Sequence, residues 1–224
     1  DVERSRGLGD VYKRQILCLL ISVISLPLIA QNIIYSNLKE LLAQHGDTTA
    51  VLRVEKRSRN QIVLTGGADY RITAGDDESM CRRLKKRCFA VRDEKGNLYL
   101  NCRKLRYKKL RFGAWYAPAV QLGKNIYFCA MPLGSVIGGN FVEEDDVKLG
   151  GNIGDALAAS SLVTKRVCYE LNGETGKVDF LGKDRMLQLL KNYPELKQAY
   201  LKDDSQEAKH TFKYLLELQN NQKK

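Results

Sequence analysis

The sequence predicts an α+β fold: an N-terminal helix, a central antiparallel sheet of hairpins, and C-terminal helices packed on it. Three observations predict it. Short β-rich runs recur in pairs across glycine-containing turns, at Phe89–Cys102, Trp115–Ala130 and Arg166–Leu181. After Leu181 the apolar period becomes helical, first with Met186, Leu187, Leu189 and Leu190, then with Ala208, Phe212, Leu215 and Leu216. Hydrophobic residues make up 44% of the 224, enough for a packed core rather than a disordered chain.

Asp1–Gln15 (DVERSRGLGDVYKRQ) has no apolar periodicity and no initiator Met, and is set aside as a non-native leader. Ile16–Ala30 (ILCLLISVISLPLIA) carries no charge, follows Lys13 and Arg14, and closes on a small residue. This is the form of a secretory signal, with cleavage expected after Ala30. A retained anchor is the alternative, but a spanning helix needs roughly 20 apolar residues and polar residues resume at Gln31 and Asn32. Cys18 opens the apolar run, the wrong place for a lipoprotein cysteine.

Residues 31–181 are expected to form the mainly antiparallel β domain, and 182–224 the helices that pack on it. Ile33–Gln44 reads as a short helix with Ile34, Leu38, Leu41 and Leu42 on one stripe, ended by a left-handed cap at Gly46. Val51–Val54 and Ile62–Leu64 read as strands around a turn at Arg57–Asn60, followed by a further strand at Tyr70 and Ile72. Asp76 or Asp77 is placed to cap a helix running to Arg87. In the hairpin that follows, Gly96 supplies the positive φ of a tight turn. Around Gly123-Lys124, Tyr127 and Cys129 alternate with Ile126 and Phe128, so both faces are apolar and the strand is central or covered on both sides. The sheet is expected to hold about six to eight strands.

The glycine-rich segment 132–163 is read as a long mobile loop with a short helix near Asp155–Leu162. Its run Glu143-Glu144-Asp145-Asp146 opposes insertion into a membrane. Asn172–Gly176 turns the third hairpin. Asp184 and Ser205 are expected helix caps, and Pro194 opens a helix at its first turn.

Two stretches carry a resemblance: Leu98–Gly134 (LYLNCRKLRYKKLRFGAWYAPAVQLGKNIYFCAMPLG) and the tail Lys165–Leu218. Together they resemble an uncharacterised exported family of Bacteroidota, a domain of unknown function. The resemblance implies an envelope or secreted location and carries over no catalytic residue. The acidic run Glu143–Asp146 departs from the more uniformly small and apolar segment of that family.

Residues 31–224 hold five cysteines: Cys81, Cys88, Cys102, Cys129 and Cys168. Export permits disulfides, and an odd count leaves one thiol over. Cys88 with Cys102, at the far ends of one hairpin, is the best local pair, and Cys81 with Cys88 competes. No CxxC pair suggests zinc, and no metal or cofactor is expected.

Catalytic chemistry has little to draw on. The two histidines, His45 and His210, fall at a helix end and in the last helix. Ser135 is not in a nucleophile elbow, Gly173–Lys177 lacks P-loop spacing, and Gly150–Gly154 follows no strand. Asp76–Glu78 and Glu143–Asp146 lack EF-hand spacing.

The formal charge is +11, and it is concentrated: Arg82–Arg111 holds 13 basic and two acidic residues. Arg82, Arg83, Lys85, Lys86 and Arg87 form one group. Arg103, Lys104, Arg106, Lys108, Lys109 and Arg111 form another, interleaved with Tyr99, Tyr107, Phe112 and Trp115. The hairpin between them is expected to bring the groups together. In a cytosolic protein this pattern would suggest nucleic acid. After export the available partners are anionic lipid heads, acidic glycans or an envelope protein, and no nucleic acid is expected. The sequence therefore points to a non-enzymatic periplasmic or secreted protein that binds an anionic surface or partner. An enzyme of unrecognised type is one alternative, a nucleic-acid-binding protein with a spurious signal is another, and a merely solvated basic face is the plainest.

Overall fold

In the computed structural model the described residues are 31–49, 52–133, 136–137, 140–141, 165–203 and 207–222. The leader and signal readings, the helix expected at Asp155–Leu162 and the Ser205 cap lie outside them.

The centre is the hairpin of strands β9 (Tyr116–Leu122) and β10 (Asn125–Ala130). Gly123 turns it at φ 58°, a left-handed value that suits glycine. β10 continues into the hairpin of β13 (Val167–Leu171) and β14 (Val178–Phe180). β9 pairs on its other side with β6 (Leu98–Asn101), which leads through β5 (Ala90–Arg92) to β1 (Asn32–Tyr35) and β2 (Asp47–Thr49). A hairpin of β3 (Arg53–Lys56) and β4 (Tyr70–Thr73) joins β9 where Tyr70 opposes Tyr116. Among the described residues these ten strands form one sheet. β7 (Arg106–Tyr107) with β8 (Leu110–Arg111), and β11 (Val136–Ile137) with β12 (Asn140–Phe141), form two separate small ladders. The second ladder falls within the segment read as loop.

Period-two alternation sends successive side chains to opposite faces. The front face gathers Tyr35, Leu100, Ala117, Ile126, Phe128, Tyr169 and Leu171. Leu105, Tyr107 and Phe112, from the β7–β8 flap and its flanks, cover it. Phe112 meets Tyr169 and Phe128 edge-on at 4.8 and 5.3 Å. The back face is covered in two places. Helices α4 (Lys183–Leu189), α5 (Pro194–Lys202) and α6 (Ala208–Gln222) cover Val120, Leu122, Tyr127, Cys129 and Cys168, chiefly through Met186, Leu215 and Leu218. Helix α3 (Glu78–Lys86) places Leu84, and β4 places Ile72, over Ile34, Val91, Tyr99 and Tyr116. The C-terminal helices are pinned by Glu170, which accepts from Arg185 Nε at 2.8 Å, Tyr127 at 3.0 Å and Asn125 at 2.6 Å. These bonds, that of Arg185 first, hold the Glu170 carboxyl below its ordinary value. The fold is thus mixed, a large antiparallel sheet with helices packed on it, as the hairpins imply.

Several elements differ from the sequence expectation. Ile33–Gln44 is not one helix: Asn32–Tyr35 is a strand between β2 and β5, and helix α1 spans only Leu38–Leu42. Asn37 caps it by accepting from Glu40 N at 3.0 Å. Gly46 does not take the left-handed turn, since the positive φ falls on Gln44. Gly46 instead permits close approach, because a Cβ there would lie 2.7 Å from Ile34 O. Ile62–Leu64 belongs to helix α2 (Arg59–Thr65), not to a strand, because Ser58 and Gln61 make a reciprocal capping box. Helix α4 begins after Gly182, with Asp184 in its first turn rather than at its cap.

The disulfide also differs. Cys129 and Cys168 face each other across β10 and β13 and are joined, with Cα atoms 4.3 Å apart. That spacing is the close one of a non-hydrogen-bonded antiparallel pair. Cys88 and Cys102 are free and buried. Cys88 belongs to the back-face cluster under α3 and Cys102 to the front-face cluster, so the sheet separates them. Burial pushes the Cys88 thiol up to about 11 and that of Cys102 up to about 12, which keeps both protonated and unreactive.

Candidate anion-binding cleft

The structure splits the basic run. Its second group mostly forms the solvent side of the flap: Arg106, Lys108, Lys109 and Arg111 are exposed while Leu105, Tyr107 and Phe112 point inward. The first group rides on α3. Asp77 caps that helix by accepting from Met80 N at 2.9 Å, so this carboxylate serves the backbone rather than calcium. Arg82 pairs with Glu78 along the helix, and Arg83 pairs with Asp47. Lys86, Arg87 and Lys104 are exposed. The flap and α3 thus serve opposite faces of the sheet, and the groups do not merge into one patch.

Two of the expected residues do meet. Lys85 and Arg103 line a cleft of about 520 Å³, together with Arg53, Arg71, Glu55, Asp76, Asn101, Trp115 and Tyr116. Arg53 and Arg71 come from the β3–β4 hairpin. Its register places Arg71 opposite Glu55 and Arg53 opposite Thr73 on the outward face, while Val54 and Ile72 turn to the core. None of Arg53, Arg71, Lys85, Arg103, Glu55 or Asp76 forms an ion pair with another described residue.

Buried hydrogen bonds hold the cleft walls. Asn101, 1% exposed, donates to Leu84 O at 3.1 Å and Cys88 O at 2.9 Å, and accepts from Arg103 N at 3.1 Å. Tyr116 OH also donates to Leu84 O, at 2.8 Å. The last turn of α3, which carries Lys85, is thereby tied to the turn that carries Arg103.

Trp115 lines the cleft. It sits at φ 78°, a left-handed backbone value that costs a bulky residue about 1–3 kcal/mol unless its surroundings impose it. They do. Ala68 N donates to Ala114 O at 2.9 Å, and a Cβ on Gly67 would lie 2.4 Å from that oxygen. Beneath them Arg57, 6% exposed, donates to Gly66 O, Ala68 O and Gln61 O at 2.7–2.9 Å. Its guanidinium lies 4.9 Å from the Trp115 ring centroid, and that of Arg71 lies 5.8 Å away. Burial pushes Arg57 below its ordinary value, an effect the nearby Asp69 opposes.

Other expected features take structural roles or stay isolated. His210 Nδ1 lies 2.8 Å from Asp203 Oδ2 at the join of α5 and α6, and His45 is exposed beyond α1. Among the described residues no group of three or more His, Cys, Asp or Glu converges to hold a metal, and no helix is long and apolar enough to cross a membrane. Arg53 and Arg71 are the cleft residues that the charge run leaves out. Their signal is the alternation of charge with Val54 and Ile72, which becomes a site only once the strands are registered.

Fold and cleft together define an α+β protein with an open cleft lined by four cationic side chains. The chain belongs to the family of unknown function DUF6563, whose profile matches residues 33–222. No curated protein and no solved structure matches it.

Proposed function

We propose that this chain is an exported, non-enzymatic envelope protein that binds an anionic ligand in the cleft between α3 and the β3–β4 hairpin. The observation that carries the reading is the convergence of Arg53, Arg71, Lys85 and Arg103 around Trp115, none of them in an ion pair with another described residue. Arginine forks and a lysine ammonium are the usual partners of phosphate and carboxylate. The signal-like run Ile16–Ala30 supports export, and a disulfide is compatible with an oxidising compartment.

Trp115 is the chain's one tryptophan, so intrinsic fluorescence reports on the cleft directly. Titration with inorganic phosphate and with oligogalacturonate at low salt is expected to change its emission, with affinity falling as salt rises. Lys85→Gln with Arg103→Gln weakens binding by about tenfold, on the scale of 1.4 kcal/mol. Lys108→Gln with Lys109→Gln has a much smaller effect. Equal losses from the flap pair, or no binding of either anion, would refute the reading. Recovery of the protein in the cytosolic fraction would refute its export.

A further inference from the structure

We infer that the cleft's ligand is an acidic saccharide, a sugar ring laid on Trp115 with its acid group among the cations. The inference rests on the anion-binding reading and narrows it. A site for a bare anion needs cations and backbone N–H groups, and has no use for an aromatic ring or for carboxylates. This cleft has all three kinds of group. Trp115 is held at a left-handed φ by the interlocked Gly67 and Ala114 backbones, with the buried Arg57 against its ring. Its backbone is therefore fixed before any ligand arrives, which lowers the ordering cost of the binding step. The C–H groups on one face of a pyranose carry partial positive charge and suit the negative face of an indole.

Glu55 and Asp76 supply the second indication. Both line the cleft and, among the described residues, neither forms an ion pair with a cation, although four cations line it too. Carboxylate oxygens accept from sugar hydroxyls, whereas they repel phosphate and sulfate ions. The lining sums to four positive and two negative side chains. That balance suits a ligand with one or two acid groups and many hydroxyls better than a polyphosphate. Arg71, exposed on β4 and 5.8 Å from the ring centroid, is the side chain that yields its place to the sugar and turns to its acid group. The volume of about 520 Å³ has room for more than one sugar unit and opens to solvent, as an end or branch of a longer glycan requires.

The test is calorimetric and fluorimetric titration of the full chain and its variants with five probes: trigalacturonate, glucose 6-phosphate, a neutral galactose trisaccharide, inorganic phosphate and adenosine monophosphate. Either acidic sugar is expected to bind about tenfold or more tightly than the neutral sugar and than phosphate, with a shift in Trp115 emission. Glu55→Gln with Asp76→Asn, both exposed and expected to leave folding intact, weakens the acidic sugar and strengthens phosphate. Trp115→Ala, with its fold checked by circular dichroism, removes the advantage of the sugar over phosphate. If phosphate binds as well as the acidic sugars and the carboxylate variant strengthens both, the saccharide inference fails while the anion reading stands. Tightest binding of the nucleotide also overturns it, in favour of a base-stacking site. Binding of none of the probes overturns both.

Discussion

Reduction of the Cys129–Cys168 disulfide should cost the protein a large share of a typical domain's stability, and the size of the loss follows from where the bridge lies. The two residues are 39 apart in sequence, and the intervening chain includes the whole glycine-rich stretch between β10 and β13. In the chain-entropy account, cross-linking a loop of this length removes roughly 13 cal/mol/K from the unfolded state, or about 4 kcal/mol at 25 °C. Net stabilities of domains run to only about 5–15 kcal/mol. With a urea m-value of about 2–3 kcal/mol/M for a chain of this size, the midpoint should fall by roughly 1.3–2 M. Urea unfolding of the oxidised protein, the reduced protein and a Cys129→Ala/Cys168→Ala variant measures it. The variant and the reduced protein should agree, because both thiols lie in the cluster beneath α6 and neither replacement adds a polar atom there. An unchanged midpoint after verified reduction would refute the entropy argument. Peptide mapping that joined Cys129 or Cys168 to any other cysteine would refute the pairing itself.

Two further outcomes test the parts that position the helices and the cleft. Glu170 is held below its ordinary value of 4.5 by Arg185, Tyr127 and Asn125, so its stabilising contribution is full above that value and is lost as pH falls through the lower folded one. Urea midpoints between pH 7 and 3 should therefore decline at the acid end. Glu170→Gln should flatten the part of that decline due to this group while lowering stability at pH 7 by about 1–3 kcal/mol. Asn101→Ala leaves the carbonyl of Cys88 and one bond to Leu84 without their partner, for a loss of about 1–3 kcal/mol by thermal melt. It should also weaken anion binding, because Lys85 and Arg103 then lose their common anchor. A variant that binds normally would show that Asn101 does not position them.

The hairpins were legible because their signals are local. Tyr127 and Cys129 alternating with Ile126 and Phe128 require cover on both faces, and β10 has it. Asp76-Asp77 mark the start of α3, and of the two Asp77 caps that helix. Where a segment satisfies two periods, tertiary pairing decides. Ile34, Leu38 and Leu41 fit a helical stripe, yet Ile34 is a strand residue because β2 and β5 flank it. Helix α2 carried its own signal in Ser58 and Gln61, the spacing of a capping box, outweighed by the β-branched look of Ile62-Val63. The disulfide was not legible, since it depends on Cys129 and Cys168 being register partners across strands distant in sequence. The cleft was half legible. Lys85 and Arg103 stand out in the basic run, but Arg53 and Arg71 become neighbours of Trp115 only through the contact of β4 with β9.

A run of cations in sequence is therefore not a patch in space. Thirteen basic residues between Arg82 and Arg111 read as one field. The hairpin inside that run sends α3 to the back of the sheet and the β7–β8 flap to the front. Flap charges that lie more than about 8 Å from a ligand in the cleft are largely screened from it at physiological salt. What they retain is a part in the long-range field that brings an anion to the protein. The two sets should then separate kinetically. Neutralising flap cations slows association and leaves dissociation alone, whereas neutralising Lys85 and Arg103 speeds dissociation. Stopped-flow traces of Trp115 emission at two salt concentrations distinguish these effects. A faster dissociation from the flap variant would mean that its cations touch the ligand, and that the sheet does not divide the site as its two clusters indicate.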